Sequence, residues 1–191
     1  MTDIRNGQEP GERAPAPEPL SLVQRFLNTV DLEDDLEVFT SPAALGEWLV
    51  TARLISPGTT LTVDDLHRAI AFREALRDLL AAHTGHPVPG DAADRFRTAL
   101  GAATLGGAVD ASGGISLVPR ASGLDGALAT LLATIHTASV DGTWQRLKTC
   151  HNHACRWAFY DASRNRSGTW CAMGICGSRN KARTWRRRHG S

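Results

Sequence analysis

Long apolar runs are absent from this 191-residue chain. A membrane-spanning helix needs about eighteen consecutive apolar residues, and no such stretch occurs. Residues 1–5 also lack the apolar core of a secretory signal. These absences exclude a membrane span and predict a soluble, cytoplasmic protein, while a hydrophobic content of 42% still allows a packed core.

Cysteine is scarce and unevenly placed. All four cysteines fall within residues 150–176, as two close pairs separated by one hairpin length. Stable disulfides are disfavoured in the cytoplasm, whereas two close pairs suit a tetrahedral ion. The pattern therefore predicts one structural Zn²⁺ with four ligands: Cys150, Cys155, Cys171 and Cys176. Two disulfides, four buried thiols, or histidine ligation by His151 or His153 are the alternatives.

An open coordination position is also missing from the predicted site. Four protein ligands leave no place for a catalytic water, which excludes hydrolytic zinc chemistry. No nucleophile and base stand at a meaningful spacing elsewhere in the chain. The sequence thus predicts that the protein is not an enzyme and that the metal folds a segment too small for a core of its own.

Acidic residues are nearly missing from the C-terminal end. Residues 142–191 contain 11 Lys and Arg but one acid, whereas residues 1–141 contain 10 Lys and Arg and 19 acids. The net charges are therefore +10 and −9. Such a division predicts that the C-terminal part binds a polyanion, with a solvated charged tail as the alternative.

The chain divides into three parts. Residues 1–19, rich in proline, are predicted to be a disordered leader. Residues 20–140 have helical apolar spacing from Leu20, followed by an acidic loop at 31–37, a capped helix start at Ser41-Pro42 and another near Thr62. A shorter helix at 91–103, a small β-hairpin at 108–118 and an apolar helix at 124–138, expected in a central packed position, complete this part. Residues 141–191 form the predicted zinc finger. The fold class is mainly α (α+β), with a helical domain followed by the finger.

The finger is predicted to have a treble-clef-like order of knuckle, β-hairpin and helix. Strand-like residues 156–160 and 169–171 flank a turn at 165–168, and Ser178 is expected to cap a last helix. Its four tryptophans are expected to be core residues, with Trp185 facing the hairpin. Lys148, Arg156 and Arg179 are expected to stabilise the −2 charge of a zinc tetrathiolate.

Cationic residues at the hairpin tip and on one face of the last helix are the predicted contacts to double-stranded DNA, and roughly five or six phosphate contacts are expected. A solvated helix face without a partner is the alternative. The predicted contacts are Arg164, Arg166, Arg179, Lys181, Arg183, Arg186 and Arg187.

Several motifs together resemble the ABATE-domain proteins with a C-terminal CGNR zinc finger. The resemblance is carried by residues 26–31, 43–49 and 73–77 in the helical domain, and by residues 150, 155–161, 163–165, 170–173 and 176–179 in the finger. It implies a bacterial transcription regulator. Ser178 stands where the motif that names the finger has Asn.

The leading hypothesis is therefore a zinc-dependent DNA-binding transcription regulator whose helical domain senses a small-molecule effector or forms a homodimer. Five polar residues are a candidate ligand pocket, although capping and helix-surface pairing explain them equally well: Asn28, Thr29, Asp31, Arg73 and Arg77. The alternatives are a zinc-structured protein-interaction module and a redox or zinc sensor acting on the transcription machinery.

Overall fold

The computed structural model describes residues 13–179 together with residues 181 and 185. Its fold is mostly helical with three small two-stranded antiparallel sheets, as the fold class predicted. No helix in this described part of the chain is both long enough and apolar enough to cross a membrane. The elements in chain order are α1 (Leu20–Leu27), β1 (Val30–Asp31), β2 (Leu36–Glu37), α2 (Pro42–Thr51), α3 (Val63–Leu80), α4 (Ala92–Leu100), β3 (Leu105–Val109), β4 (Ile115–Pro119), α5 (Gly123–Val140), β5 (Leu147–Thr149) and β6 (Ala158–Tyr160).

Two helix starts follow directly from local sequence. The Ser41 hydroxyl accepts a hydrogen bond from the Ala44 amide at 3.1 Å, and Pro42 opens α2. At α3, Thr62 and Asp65 form a reciprocal capping box. Each cap satisfies amides that have no partner within the helix, so both helices begin where the sequence predicts.

An aromatic cluster fills the centre of the helical domain. The Phe26 ring lies 5.8 Å from Phe39, 5.7 Å from Trp48 and 5.9 Å from Phe72, measured between ring centroids. Helix α5 packs against α1, α3, α4 and β4. Leu128 in α5 is fully buried. This agrees with the central position predicted for that helix.

The leader and the acidic loop both differ from the sequence expectation. Within the predicted leader of residues 1–19, Ala16 packs onto the fold: it is buried, and its amide donates to the Gln24 side chain at 2.7 Å. The rest of the leader, residues 1–12, lies outside the described residues. The segment between α1 and α2, expected to be a loop, forms the short hairpin β1–β2.

The finger shares the core of the helical domain. Leu147 in β5 and Ala158 in β6 are fully buried and belong to the same cluster as Phe26 and Leu128. A second cluster surrounds the cysteines and is contacted by Val38 of the helical domain. The finger is therefore held by more than its metal centre, because part of it is packed against the larger core.

The finger hairpin also has different strands from those predicted. Strand β6 pairs with β5, which precedes the first cysteine, in the register Leu147↔Tyr160 and Thr149↔Ala158. Residues 169–171 form no strand; one backbone hydrogen bond, from the His151 amide to the Thr169 carbonyl, joins them to the first knuckle. Strand propensity alone does not pair residues 169–171 with β6, because the first knuckle turns the chain back and brings β5 alongside β6.

Candidate metal centre and cationic surface

The four cysteines stand at the ends of short elements. Cys150 directly follows β5, and Cys155 lies three residues before β6, so the first pair occupies the connection between these two strands. Arg156 follows Cys155 with a φ of 51°, which turns the chain out of the knuckle and into β6. Cys176 lies in the π-helical turn Met173–Gly177, with Cys171 just before it. Two tight turns thereby bring the four sulfurs together.

The sulfur geometry fits a tetrahedral ion. All four Sγ atoms lie within 4.8 Å of one another. The Cys155–Cys171 and Cys171–Cys176 sulfur separations are both 3.7 Å. Four Zn–S bonds of about 2.3 Å at tetrahedral angles place the sulfurs at about that separation. All four side chains are 7% exposed or less and none forms a disulfide, so the residues present fit Zn²⁺.

Hydrogen bonding and burial separate the pKa values of the four thiols. The pKa of Cys150 falls to about 2, first because of its hydrogen bonding with the Cys155 and Cys171 thiols. The pKa values of Cys155 and Cys171 rise, first because of their hydrogen bonding to Cys150, and burial raises that of Cys176. One thiolate is thus favoured and further ones are opposed, until a divalent cation offsets their mutual repulsion.

Side chains around the cluster fix the orientation of the knuckles. The Asn152 amide donates to the Cys176 sulfur at 3.8 Å, which links the two cysteine pairs. Arg13 reaches in from the N-terminal segment, donating to the Cys171 carbonyl at 2.9 Å while its guanidinium lies 4.5 Å from the centre of the Phe159 ring. No local sequence signal connects Arg13, more than 150 residues away, with the metal centre.

The single acid of residues 142–191 is a buried structural group. Asp161 is fully buried, pairs with the Lys148 ammonium at 2.8 Å, and accepts from the Ser163 and Gly168 amides at 3.1 and 2.7 Å. Burial alone would raise the pKa of Asp161, but these hydrogen bonds reverse the effect and lower it. Sequence reasoning assigned Asp161 no role. Asp161 is the only acid in a segment of net charge +10, and this isolation is the sequence signal that it pairs with a base inside the molecule.

Asn28 and Arg77, two residues of the candidate ligand pocket, attach the finger to the helical domain. The Asn28 side chain accepts from the Ala158 amide and donates to the Ala158 carbonyl, both at 2.8 Å. Arg77 is fully buried and donates to the Arg156 carbonyl at 2.7 Å, to the Leu27 carbonyl and to Glu74. Asn28 thereby supplies hydrogen-bond partners for the backbone at the edge of β6, and Arg77 supplies one for the backbone of the first knuckle.

The other three candidate pocket residues lie nearby. Arg73 pairs with both carboxylate oxygens of Glu37, at 2.8 and 2.6 Å, and donates to the Thr29 hydroxyl at 3.0 Å. Asp31 accepts from the Glu33 amide at 2.9 Å and so stabilises its own turn. The structure gives all five residues an internal bonding role, and their binding of an effector stays a prediction.

Burial and ion pairing shift the pKa values of the charged groups in this network in opposite directions. Burial alone would lower the pKa of Arg73, but Glu37 and Glu74 reverse this and raise it. Burial alone would raise the pKa of Glu74, and Arg77 and Arg73 lower it instead. The carboxylate of Glu74 therefore stays ionised between two buried guanidiniums, as a buried charge pair requires.

The predicted DNA-contacting residues fall into three groups. Arg164, Arg166 and Lys181 are exposed. Arg179 is also exposed, but it is paired with Glu33 of the helical domain at 2.6 Å. The others lie outside the described residues: Arg183, Arg186 and Arg187.

Three expectations about side chains of the finger need correction. Lys148 and Arg156, expected to offset the charge of the metal centre, pair with Asp161 and Asp78 respectively. Ser178 is not a helix N-cap: it is already helical, and its hydroxyl donates to the Met173 carbonyl at 3.3 Å. Trp185, expected to face the hairpin, is 63% exposed. The π-helical turn starts the helical structure earlier than the serine suggested.

Two protein families match the chain. Residues 20–147, more than half of the chain, match ABATE, described as "Putative stress-induced transcription regulator", and residues 146–189 match the CGNR zinc finger. The chain belongs to the ABATE family. No curated protein sequence matches it significantly. The two matches meet at residues 146–147, at the start of β5 and within the contact between the ABATE domain and the CGNR finger.

The CGNR match and the sulfur geometry together assign one zinc to Cys150, Cys155, Cys171 and Cys176. The resemblance seen in the sequence is therefore confirmed for both parts of the chain. When bound, the ion supplies charge neutralisation and four bonds that hold the knuckles together. The protein contributes the burial, the Asn152 and Arg13 contacts, and the Asn28 link to the ABATE domain.

Proposed function

We propose that this ABATE-family protein is a cytoplasmic, zinc-dependent regulator that binds double-stranded DNA through its CGNR finger and has no enzymatic activity. The carrying observation is the concentration of charge: residues 142–191 have a net charge of +10, whereas residues 1–141 have a net charge of −9. Arg164 and Arg166 support it, because both are exposed at the turn that follows β6. Guanidiniums on such a turn can bind backbone phosphates without a change in the fold.

The test is DNA binding measured by fluorescence anisotropy or electrophoretic mobility on duplexes from the protein's own promoter region, with zinc loaded and salt varied. The double variant R164Q/R166Q should weaken binding and reduce the slope of log K against log salt by about 2, since each phosphate contact contributes about 0.9. The matched control is R53Q/R97Q, which removes two exposed arginines of the ABATE domain and the same charge. No binding at low salt contradicts the proposal, as does an equal loss in the control.

A protein-interaction module is the second candidate function, because the same exposed arginines suit an acidic protein surface. A pull-down that survives nuclease treatment, together with no shift of any duplex, favours it. The redox-sensor alternative has less support, since all four thiols are 7% exposed or less and access to oxidant governs thiol oxidation. Unchanged zinc content after mild peroxide is the expected result.

For the ABATE domain we propose effector sensing or homodimer formation as the regulatory input. The contacts that support a regulatory connection are those of Asn28 and Arg77, which reach the finger backbone directly. An effector or a second copy that moved the end of α1 would therefore also move the first knuckle. Light scattering with and without DNA tests the dimer.

A further inference from the structure

The β1–β2 hairpin of the ABATE domain is a strongly acidic turn. We use the name acidic turn for residues 31–37, which contain five carboxylates. Its two ends are joined by the pairing of β1 with β2, and Glu37 is paired with Arg73 of the ABATE domain at 2.6 Å. Asp34 and Asp35 at its tip are exposed. The turn is thus a fixed negative surface, positioned by the buried Arg73.

Glu33 extends from the acidic turn to the finger. One of its carboxylate oxygens, Oε1, accepts from Arg179 at 2.6 Å and from the Asn152 amide at 3.4 Å. Arg179 lies two residues after the π-helical turn that carries Cys176, and Asn152 lies in the first knuckle. The carboxylate therefore contacts the segments that carry both cysteine pairs. It also pairs with Arg179, one of the residues predicted to bind a DNA phosphate.

We propose that the acidic turn is an autoinhibitory element in which Glu33 takes the place of a DNA phosphate on Arg179. A carboxylate and a phosphate use the same guanidinium donors, so they compete for them. The exposed carboxylates of Asp34 and Asp35 also repel an approaching backbone. This inference rests on the proposed DNA-binding function, which it extends by naming how the same surface is regulated.

The anchoring of the turn connects this contact to the ABATE domain. Arg73 lies on α3 and holds Glu37 by two hydrogen bonds, while it also donates to Thr29 at the end of α1. A change of state that moves α1 or α3 shifts the acidic turn and releases Arg179. Reciprocally, DNA that displaces Glu33 favours the released state of the ABATE domain, as linkage requires.

The test compares DNA affinity of the full, zinc-loaded chain with that of Glu33→Gln, which removes the charge at nearly constant shape. An exposed ion pair is worth at most about 1 kcal/mol, so the variant should bind about two- to fivefold more tightly. The matched control is Asp64→Asn, an equal charge change at an exposed position. Asp64 and Arg77 are thirteen residues apart on α3, which is about 20 Å, so the control charge is remote from the contact that Arg77 makes with the finger.

A third comparison separates direct competition from a general field effect. In an Arg179→Gln background, Glu33→Gln should give no gain, because the competed donor is gone. A full gain in that background, or an equal gain from Asp64→Asn, overturns the proposal. Wild-type binding that Glu33→Gln leaves unchanged overturns this inference alone. Absence of DNA binding by the wild type and both variants overturns the proposed function and this inference together.

Discussion

Replacing Asn28 with alanine should destabilise the whole protein, although Asn28 lies in the helical domain and far from the cysteines in sequence. Its side chain is buried and forms both hydrogen bonds of a strand-like pair with Ala158, each 2.8 Å long. Ala158 belongs to β6 and to the shared core. Asn28 therefore supplies the hydrogen-bonding edge that β6 would otherwise lack on that side.

The magnitude follows from the two groups left behind. Truncation removes the side-chain acceptor of the Ala158 amide, while the Ala158 carbonyl keeps a longer contact of 3.4 Å from Gln24. A buried polar group without a partner costs about 1–3 kcal/mol. Allowing for the remaining Gln24 contact, N28A should lower the free energy of unfolding by about 2–4 kcal/mol.

Urea unfolding at fixed free zinc, followed by circular dichroism and tryptophan fluorescence, measures this change. The matched control is N165A, which truncates an exposed asparagine of the finger and should change stability by less than about 0.5 kcal/mol. N28D keeps an acceptor for the Ala158 amide but places a second carboxylate oxygen against the Ala158 carbonyl, so it should not restore stability. If N28A unfolds within about 0.5 kcal/mol of wild type, the proposed role of the Asn28–Ala158 pair is refuted.

Three further predictions concern the metal and the charges around it. C171S should lose stoichiometric zinc, measured by metal content after gel filtration, because a serine hydroxyl is a poor zinc ligand; retention of one zinc per chain would contradict the assignment. Zinc removal with a strong chelator should lower the melting temperature of the helical signal as well, because Leu147 and Ala158 lie in the common core; an unchanged helical transition would show that the finger folds separately. The pKa of Asp161 is lowered in the folded protein. Its ion pair with Lys148 therefore contributes stability that is fully present above the unfolded pKa of about 3.9 and is progressively lost as pH falls below that value. The difference in unfolding free energy between wild type and D161N should therefore shrink from pH 5 towards pH 3, and a constant difference would argue against this ion pair.

Short-range sequence signals predict the helical domain well. The Ser41 and Thr62 caps set the starts of α2 and α3, and both depend only on residues within one turn of the helix. The four metal ligands are predictable for a related reason. Four cysteines concentrated in one segment have few ways to be satisfied together, so their spacing alone restricts the site to a small number of arrangements.

Long-range pairing cannot be derived in the same way. Strand propensity identifies residues 158–160 correctly, yet it cannot show that their partner is residues 147–149 on the other side of the knuckle. Nor can it show that Asn28 and Arg77 bond to the finger backbone. A polar residue on an apolar helix face indicates a buried partner without identifying it. The same residues therefore suggest a ligand pocket as readily as an internal joint.

The structure also changes the meaning of the charge count that first suggested a polyanion. Several bases of the finger have acidic partners inside the molecule: Lys148 with Asp161, Arg156 with Asp78 and Arg179 with Glu33. Among the predicted contacts that the structure describes, three exposed cations remain: Arg164, Arg166 and Lys181. At about 0.9 per contact, they account for a salt slope of about −3, and release of Arg179 raises this to nearly −4. Composition thus measures the total charge of the finger, whereas the pairing of individual residues decides how much of it can reach a phosphate.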